Sequence, residues 1–163
     1  MKDAVLNDHL RVAFPESFRV MSTEETSQAL SLKDATCWGI RDDEAHIVLA
    51  MTWHESRAGM LQKLASTKDL AKRIQRKSRN STRRAEQSEV GELERAQICG
   101  EEAWGFACAY AVQGVRQVSE AWVFKLPKGA MSCCYTIYFF AREDNAPASR
   151  KVLDEIIASL TCV

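Results

Sequence analysis

The 163-residue chain lacks the signatures of the common catalytic and nucleotide-binding sites. It has no G-x-S-x-G segment to expose a nucleophilic serine, and neither of the glycine-rich patterns that cradle phosphates. His54-Glu55 begins like the zinc motif H-E-x-x-H, but the second histidine is missing. His46 and His54 would stand roughly 26 Å apart on one strand, so they cannot share an ion. We therefore expect a protein that is not an enzyme and uses no cofactor or metal.

Long apolar runs and export signals are also missing. No stretch approaches the ~18–20 apolar residues needed to cross a bilayer, and the first residues carry no apolar core of a secretory signal. The six cysteines show no C-x-x-C spacing. We therefore expect a cytoplasmic protein with reduced thiols and without a membrane span.

Composition and length predict one globular domain. The chain is 46% hydrophobic and 27% charged, which is ordinary for a domain of this size. Its first twelve residues show no clear period. We expect a loosely held N-terminal arm over residues 1–13 and a single domain over residues 14–163.

The stretch Met131–Ala141 is apolar on both faces of a predicted strand, apart from Thr136. Strand side chains alternate between faces. One face would carry Cys133, Tyr135, Ile137 and Phe139, and the other Cys134, Tyr138 and Phe140. Such a run is typical of a central strand that is covered on both sides. It predicts an α+β fold, a three-layer α/β/α sandwich around a mainly antiparallel sheet.

Short, glycine-containing connections predict that this strand closes an antiparallel meander. Its four strands are Glu92–Cys99, Ala103–Val112, Val115–Leu126 and Met131–Arg142. The other predicted elements are an edge strand at 18–20, a capped helix at 23–30, a hairpin at 37–53, a helix from Thr67 with a connection from Asn80, and a terminal helix at 145–160.

The second meander strand has one face of small side chains, which are Gly105, Ala107, Ala109 and Ala111. If Gln113-Gly114 is a two-residue turn, the next strand places Val118 and Trp122 beside that small row. Bulky neighbours would then fill the space that the small residues leave.

The order of elements resembles the PsbP-like superfamily, which includes the photosystem II extrinsic protein, a Ran-GTPase release factor and DcrB-like proteins. The resemblance covers residues 14–160 and rests on three segments, Phe14-Pro15-Glu16-Ser17-Phe18, Ile98-Cys99-Gly100 and the closing Ile156-Ile157-Ala158-Ser159-Leu160. It implies an antiparallel sheet with helices on both faces. It implies a binding or assembly role rather than a reaction, and none of the superfamily's partner-contact motifs is matched.

Positive charge is concentrated in one segment. Between positions 63 and 84 nine basic residues stand against Asp69 alone, which leaves the rest of this neutral chain with a balance of −8. Part of the set recurs at helical spacing. We hypothesise that an acidic protein surface is bound by Lys68, Lys72, Arg76, Arg79, Arg83 and Arg84. The alternative is a solvated helix face that pairs with the protein's own acids. No aromatic residue is interleaved with the cations, which argues against nucleic acid as the partner.

A second hypothesis concerns Trp53 and His54, at a predicted strand end. These residues could border a cleft between sheet and helix that binds a small molecule or a lipid. The alternative for Trp53 is simple core filling.

Overall fold

The computed structural model describes residues 1–33, 36–57, 65–82 and 87–163. The strands in this part of the chain are β1 Lys2–Leu6, β2 Leu10–Phe14, β3 Arg19–Val20, β4 Cys37–Asp42, β5 Ile47–Arg57, β6 Glu89–Val90, β7 Glu94–Ile98, β8 Glu101–Val112, β9 Val115–Lys128, β10 Met131–Arg142 and β11 Thr161–Cys162. The α-helices are α1 Thr23–Leu30, α2 Thr67–Thr82 and α3 Ala146–Ser159, and a 3₁₀ turn spans Glu143–Asn145. Among these described segments, no helix has the length and apolarity required to cross a membrane.

Strand β10 occupies the middle of the main sheet, whose order is β3-β4-β5-β10-β9-β8-β6, with β7 also paired to β8. It pairs antiparallel with β9 along its whole length and with β5 over positions 131–140. The predicted meander is present as β7 to β10, and the predicted hairpin as β4 and β5. The central position predicted for this stretch is therefore confirmed.

Helices lie on both faces of the main sheet, as the predicted α+β sandwich requires. On the face that carries Cys133, Tyr135, Ile137 and Phe139, called the closed face here, α3 packs together with a small sheet of order β1-β2-β11. On the opposite or open face, α2 packs against Val123 and Cys134. Helix α1 covers the same open face further along, where its Thr26 sits against Gly39.

The two faces are not covered equally. Tyr135, Ile137 and Phe139 on the closed face are almost entirely buried. On the open face Tyr138 and Phe140 are only half-buried. The sequence predicted complete cover on both sides, and this is wrong for the open face, because α1 and α2 leave a gap above these two rings.

The first fourteen residues form a β-hairpin instead of the loosely held arm expected over residues 1–13. Asn7 and Asp8 make its turn with positive φ angles of 55° and 49°, which these two residue types tolerate better than most. Strand β2 also pairs with β11 near the C-terminus. The buried side chains of β2 are Leu10, Val12 and Phe14. An alternation of only three apolar residues is too short to predict a strand from the sequence. Its meaning becomes clear only when the closed face that these residues cover is known.

At Gly105 the small row of β8 accommodates a tryptophan, as predicted. Further along, beside Ala107, Ala109 and Val118, the predicted filling is absent and a cleft of about 650 Å³ opens. Gln113 and Gly114 form the two-residue turn, both with positive φ, and Gly105 stands opposite Trp122 in the resulting register. A Cβ atom on Gly105 would lie 2.4 Å from the Trp122 ring and 2.5 Å from the Ala121 carbonyl oxygen. The glycine is therefore required by close approach of the neighbouring strand.

We predict that Gly105→Ala lowers the free energy of unfolding by about 3 kcal/mol, because the added methyl group has no space. Urea denaturation would measure the change. Gly129→Ala is the matched control: its methyl group would meet no atom within 4 Å, and only its φ of +59° opposes the substitution, at a cost of about 1 kcal/mol. Equal costs for the two variants would contradict the packing explanation.

Candidate functional site

Helix α2 presents an apolar side to the sheet and a basic side to solvent. The Ser66 hydroxyl accepts a hydrogen bond from the Asp69 backbone N–H at 3.1 Å, which supports the predicted start of the helix. Ala71 is fully buried, and Leu70 and Ile74 pack beside it. The helix continues to Thr82, past the connection predicted from Asn80.

Four of the six predicted partner-binding residues line one cleft on the open face, beside α2. This basic cleft has a volume of about 440 Å³ and is lined by Lys68, Lys72, Gln75, Arg76, Arg79, Glu92, Leu93 and Trp104. Its four cations are solvent-exposed. Positions at i, i+4, i+8 and i+11 share one side of a helix, which is why they meet here. The other two predicted residues, Arg83 and Arg84, lie outside the described residues.

Sequence reasoning missed Trp104 in the basic cleft, as it missed Gln75, Glu92 and Leu93. Lys68 Nζ lies 4.5 Å from the centroid of the Trp104 ring, within cation–π range. The indole N–H donates a hydrogen bond of 2.8 Å to Glu102, which in turn forms an ion pair with Arg95. The ring is thus held in place at the edge of the cleft. Register between β8 and the neighbouring strands is what brings it beside α2, and no local sequence signal shows this.

Gln75 fixes the position of α2 against the next segment of chain. Its side chain is only 7% exposed, and its Nε2 donates a hydrogen bond of 2.8 Å to the carbonyl oxygen of Gly91. Gly91 in turn donates its N–H to the carbonyl oxygen of Ala107 at 2.7 Å. The far wall of the basic cleft, which carries Glu92 and Leu93, is therefore tied to both the helix and the sheet.

None of the four cations of the basic cleft forms an ion pair with any residue that the structure describes. Six other side-chain cations in this part of the chain do. The pairs are Arg19–Glu25, Arg19–Asp43, Arg41–Asp43, Arg95–Glu102, Arg116–Glu143, Lys128–Glu55, Arg150–Glu120 and Arg150–Asp154. Pairing with the protein's own acids, one of the readings open from the sequence, is thus not observed in this part of the chain. The cleft is suited to an anionic group from outside.

The residues of the second hypothesis, Trp53 and His54, do not come together. They are neighbours on β5 and point to opposite faces of the sheet. Trp53 packs against the closed-face core, with its ring centroid 6.5 Å from that of Tyr135, and His54 is exposed on the open face. These two side chains therefore do not line one pocket among the described residues, and the core-filling alternative describes Trp53.

A cleft between sheet and helix does exist, but elsewhere on the open face. It has a volume of about 680 Å³ and lies between the end of α1 and α2. We call it the aromatic cleft, because Phe106, Tyr138 and Phe140 form its floor. Burial raises the pKa of the Tyr138 hydroxyl above its ordinary value, so this group stays neutral and acts as a hydrogen-bonding group.

The thiols of the central strand are poorly suited to nucleophilic chemistry. Burial raises the pKa of Cys134 to about 11 and also raises that of Cys133. Both groups therefore stay protonated at neutral pH. The thiolate, which is the reactive form of cysteine, is scarce at each. Cys133 packs in the core of the closed face and Cys134 in that of the open face, and this packing explains the cysteine at each position.

Several solved structures share this arrangement of elements. Cyanobacterial PsbP (CyanoP) from Synechocystis sp. PCC 6803 superposes with a TM-score of 0.69 at 13% identity, covering 99% of this chain and 92% of that one. The protein has a PsbP-like fold. LpqN of Mycobacterium tuberculosis, involved in cell envelope biogenesis, gives a TM-score of 0.63 at 11% identity over 94% of this chain and 83% of its own. The Ran-binding protein Mog1p of Saccharomyces cerevisiae gives 0.54 at 10% identity, over 98% and 94%.

The resemblance stated from the sequence is therefore confirmed at the level of the fold. No protein-family model matches the chain, and no curated protein sequence matches it either. At identities of 10–13%, the PsbP-like structures establish architecture and leave the role of the basic cleft to be argued from its own residues.

We predict that Arg76→Gln raises the free energy of unfolding by about 0.5 kcal/mol at low ionic strength, because it relieves repulsion from Lys72 and Arg79. Thermal denaturation at low and at high salt would measure this, and the gain should vanish at high salt. Lys151→Gln on α3 is the control, since Lys151 precedes Glu155 by one turn and its loss should not stabilise. If Arg76→Gln instead lowered the free energy of unfolding, the charge of Arg76 would already be compensated in the folded protein.

Proposed function

We propose that the protein is a non-catalytic binding or assembly module that recognises an acidic segment of a partner protein through the basic cleft. The observation that carries this proposal is the row of four exposed cations, none of which forms an ion pair with an acid among the described residues. Maintaining such a row costs self-repulsion, which a bound anionic segment would offset.

Charge distribution over the whole chain supports an anionic partner. The basic segment between positions 63 and 84 carries +8, and the remainder of the chain carries −8. The field of an approaching acidic surface turns a molecule with this charge asymmetry so that its basic segment faces the surface. This orientation acts over about one Debye length, ~10 Å. The basic cleft would then meet the partner first.

The spacing of the row favours an extended segment with acids at alternate positions. Neighbouring cations such as Lys68 and Lys72 are separated by four helical residues, about 6 Å along the axis. Two residues of an extended chain span about 6.6 Å. Alternate carboxylates of a strand lying along α2 would therefore match successive cations.

An apolar side chain in the same segment has a place to bind. Leu93 and Trp104 line the basic cleft and are half-buried, which leaves apolar surface beside the cations. Burying it would add affinity that salt does not screen. Protein binding by Mog1p, which has the same fold and is described as Ran-binding, supports this class of function by analogy.

A synthetic peptide with four glutamates at alternate positions and a central leucine would test the proposal by fluorescence anisotropy. We expect Lys72→Glu/Arg76→Glu to weaken binding about tenfold or more, and binding to the unmodified protein to weaken as salt increases. The control is Arg11→Glu/Lys151→Glu, which makes the same change in net charge at exposed positions outside the basic cleft.

Three results would contradict the proposal. The two double variants could lose affinity equally, which would indicate a response to net charge alone. Binding could be independent of salt. An oligothymidine of similar charge could bind more tightly than the peptide, which would favour single-stranded nucleic acid stacked on Trp104 as the partner.

The aromatic cleft favours a second candidate function, binding of a small apolar ligand that carries an acidic group. The half-buried rings of Tyr138 and Phe140 give it an apolar floor, and Lys77 on its wall offers a cation for the acid. A volume of about 680 Å³ is within the range of small-molecule sites. This is the small-molecule or lipid alternative from the sequence, now at different residues.

A naphthalene sulfonate whose fluorescence rises on transfer to an apolar site would test this candidate with the native protein. We expect Ser119→Leu, which fills the aromatic cleft, to reduce binding at least about tenfold, and Lys77→Gln to reduce it less. Arg76→Gln in the basic cleft is the control and should leave binding unchanged. Undiminished binding to Ser119→Leu would exclude the aromatic cleft as the site.

A further inference from the structure

Two cysteines that are far apart in sequence are brought together beside the C-terminal strand. Cys99 lies in the tight turn between β7 and β8, where it and Gly100 both have positive φ. Its Sγ donates a hydrogen bond of 3.3 Å to the carbonyl oxygen of Leu160. Cys162 is two residues further along the chain, in β11. The Cys99 thiol is therefore anchored within two residues of the second thiol.

Strand geometry directs the Cys162 side chain to the side from which Cys99 approaches. Residues two apart on an extended segment share a face, and Leu160, whose ψ is 124°, is extended. The Leu160 side chain is buried in the closed-face core, and Cys99 packs against that same core. Cys162 pairs with Leu10 in β11 and is exposed, so a reagent can reach it.

We propose that Cys99 and Cys162 form a modification site, a disulfide that links the β7–β8 turn to the C-terminal strand when the protein meets a small-molecule disulfide. It would join two segments separated by 63 positions in the chain and would fasten a strand that holds only two paired residues, Thr161 and Cys162. Holding β11 in place would also hold β2, its partner, over the closed face.

Electrostatics is consistent with this proximity. Burial raises the pKa of Cys99 to about 11, and repulsion from the Cys162 thiolate adds to the shift. Because Cys162 is exposed and Cys99 is partly buried, we expect Cys162 to react first with a small-molecule disulfide.

The chemistry is two successive thiol–disulfide exchanges. The Cys162 thiolate attacks the small-molecule disulfide, forms a mixed disulfide and expels one thiolate. The Cys99 thiolate then attacks the Cys162 Sγ, closes the protein disulfide and expels the second thiolate. The two protons lost by the protein thiols go to the two expelled thiolates. The protein is oxidised by two electrons, and the small molecule is reduced to two thiols.

The other cysteines are poor candidates for such a pair. Cys133 and Cys134 are adjacent on β10 and point to opposite faces, and Cys108 is buried on the open face. Cys37 lies near Ser27, beside α1, with 3.5 Å between the Sγ and Oγ atoms. The location of the bridge is therefore specific, and peptide mapping can distinguish it from any other pairing.

Incubation of the full chain with oxidised glutathione, followed by non-reducing peptide mapping, tests the proposal. We expect one intramolecular disulfide between residues 99 and 162, a melting temperature raised by about 5 °C and reversal by a dithiol reductant. Ring closure should accelerate as the pH rises toward the pKa of Cys99. Cys162→Ser should abolish all of these changes, whereas Cys37→Ser should leave them intact.

A stable glutathione adduct on Cys162 with no closure would overturn the proposal, because it would show that Cys99 cannot reach the second sulfur. A disulfide that maps to any other pair would overturn it equally. Retention of the 99–162 link without any rise in melting temperature would refute the fastening of β11 that we infer from it.

Discussion

The architecture depends on one constraint, which is that β10 has apolar side chains on both faces and must be shielded from water on each. Its backbone is satisfied by β5 and β9, which places it in the middle of the sheet. Its side chains then require one layer above and one below. The closed face meets this requirement with α3 and the small sheet, and the open face meets it only in part.

Incomplete cover of the open face gives the protein its candidate binding surfaces. Helix α2 buries Ala71 and its neighbours against the sheet, so its opposite side has to face solvent, and that side carries the basic row. The gap between α1 and α2 leaves two aromatic rings half-buried. One face thus offers a charged cleft and an apolar one, side by side. The closed face carries most of the packed core, and a cleft of about 650 Å³ opens on it beside Ala107, Ala109 and Val118.

Patterns that repeat within one element could be interpreted from the sequence. The meander strands, the two-residue turn at Gln113–Gly114, the capped start of α1 and the row of cations on α2 all follow from spacing and turn chemistry. The strand register implied by the turn at Gln113–Gly114 also predicted that Trp122 lies beside Gly105. Short or isolated signals were misleading. The three alternating apolar residues of β2 are too few to predict a strand, so the sequence alone predicts an arm there. Trp53 next to His54 predicts the border of a pocket, although the two side chains lie on opposite faces of the sheet.

Local chemistry along the chain was therefore enough to determine the α+β architecture, its central strand and which cations share a side of α2, because periodicity and turn preferences act over a few residues. Only the folded molecule decided that Trp104 joins those cations, that Tyr138 and Phe140 remain half-buried, and that Cys99 lies near the C-terminal strand. Those relations link residues that are distant in sequence. They depend on strand register and on how well each layer covers the next.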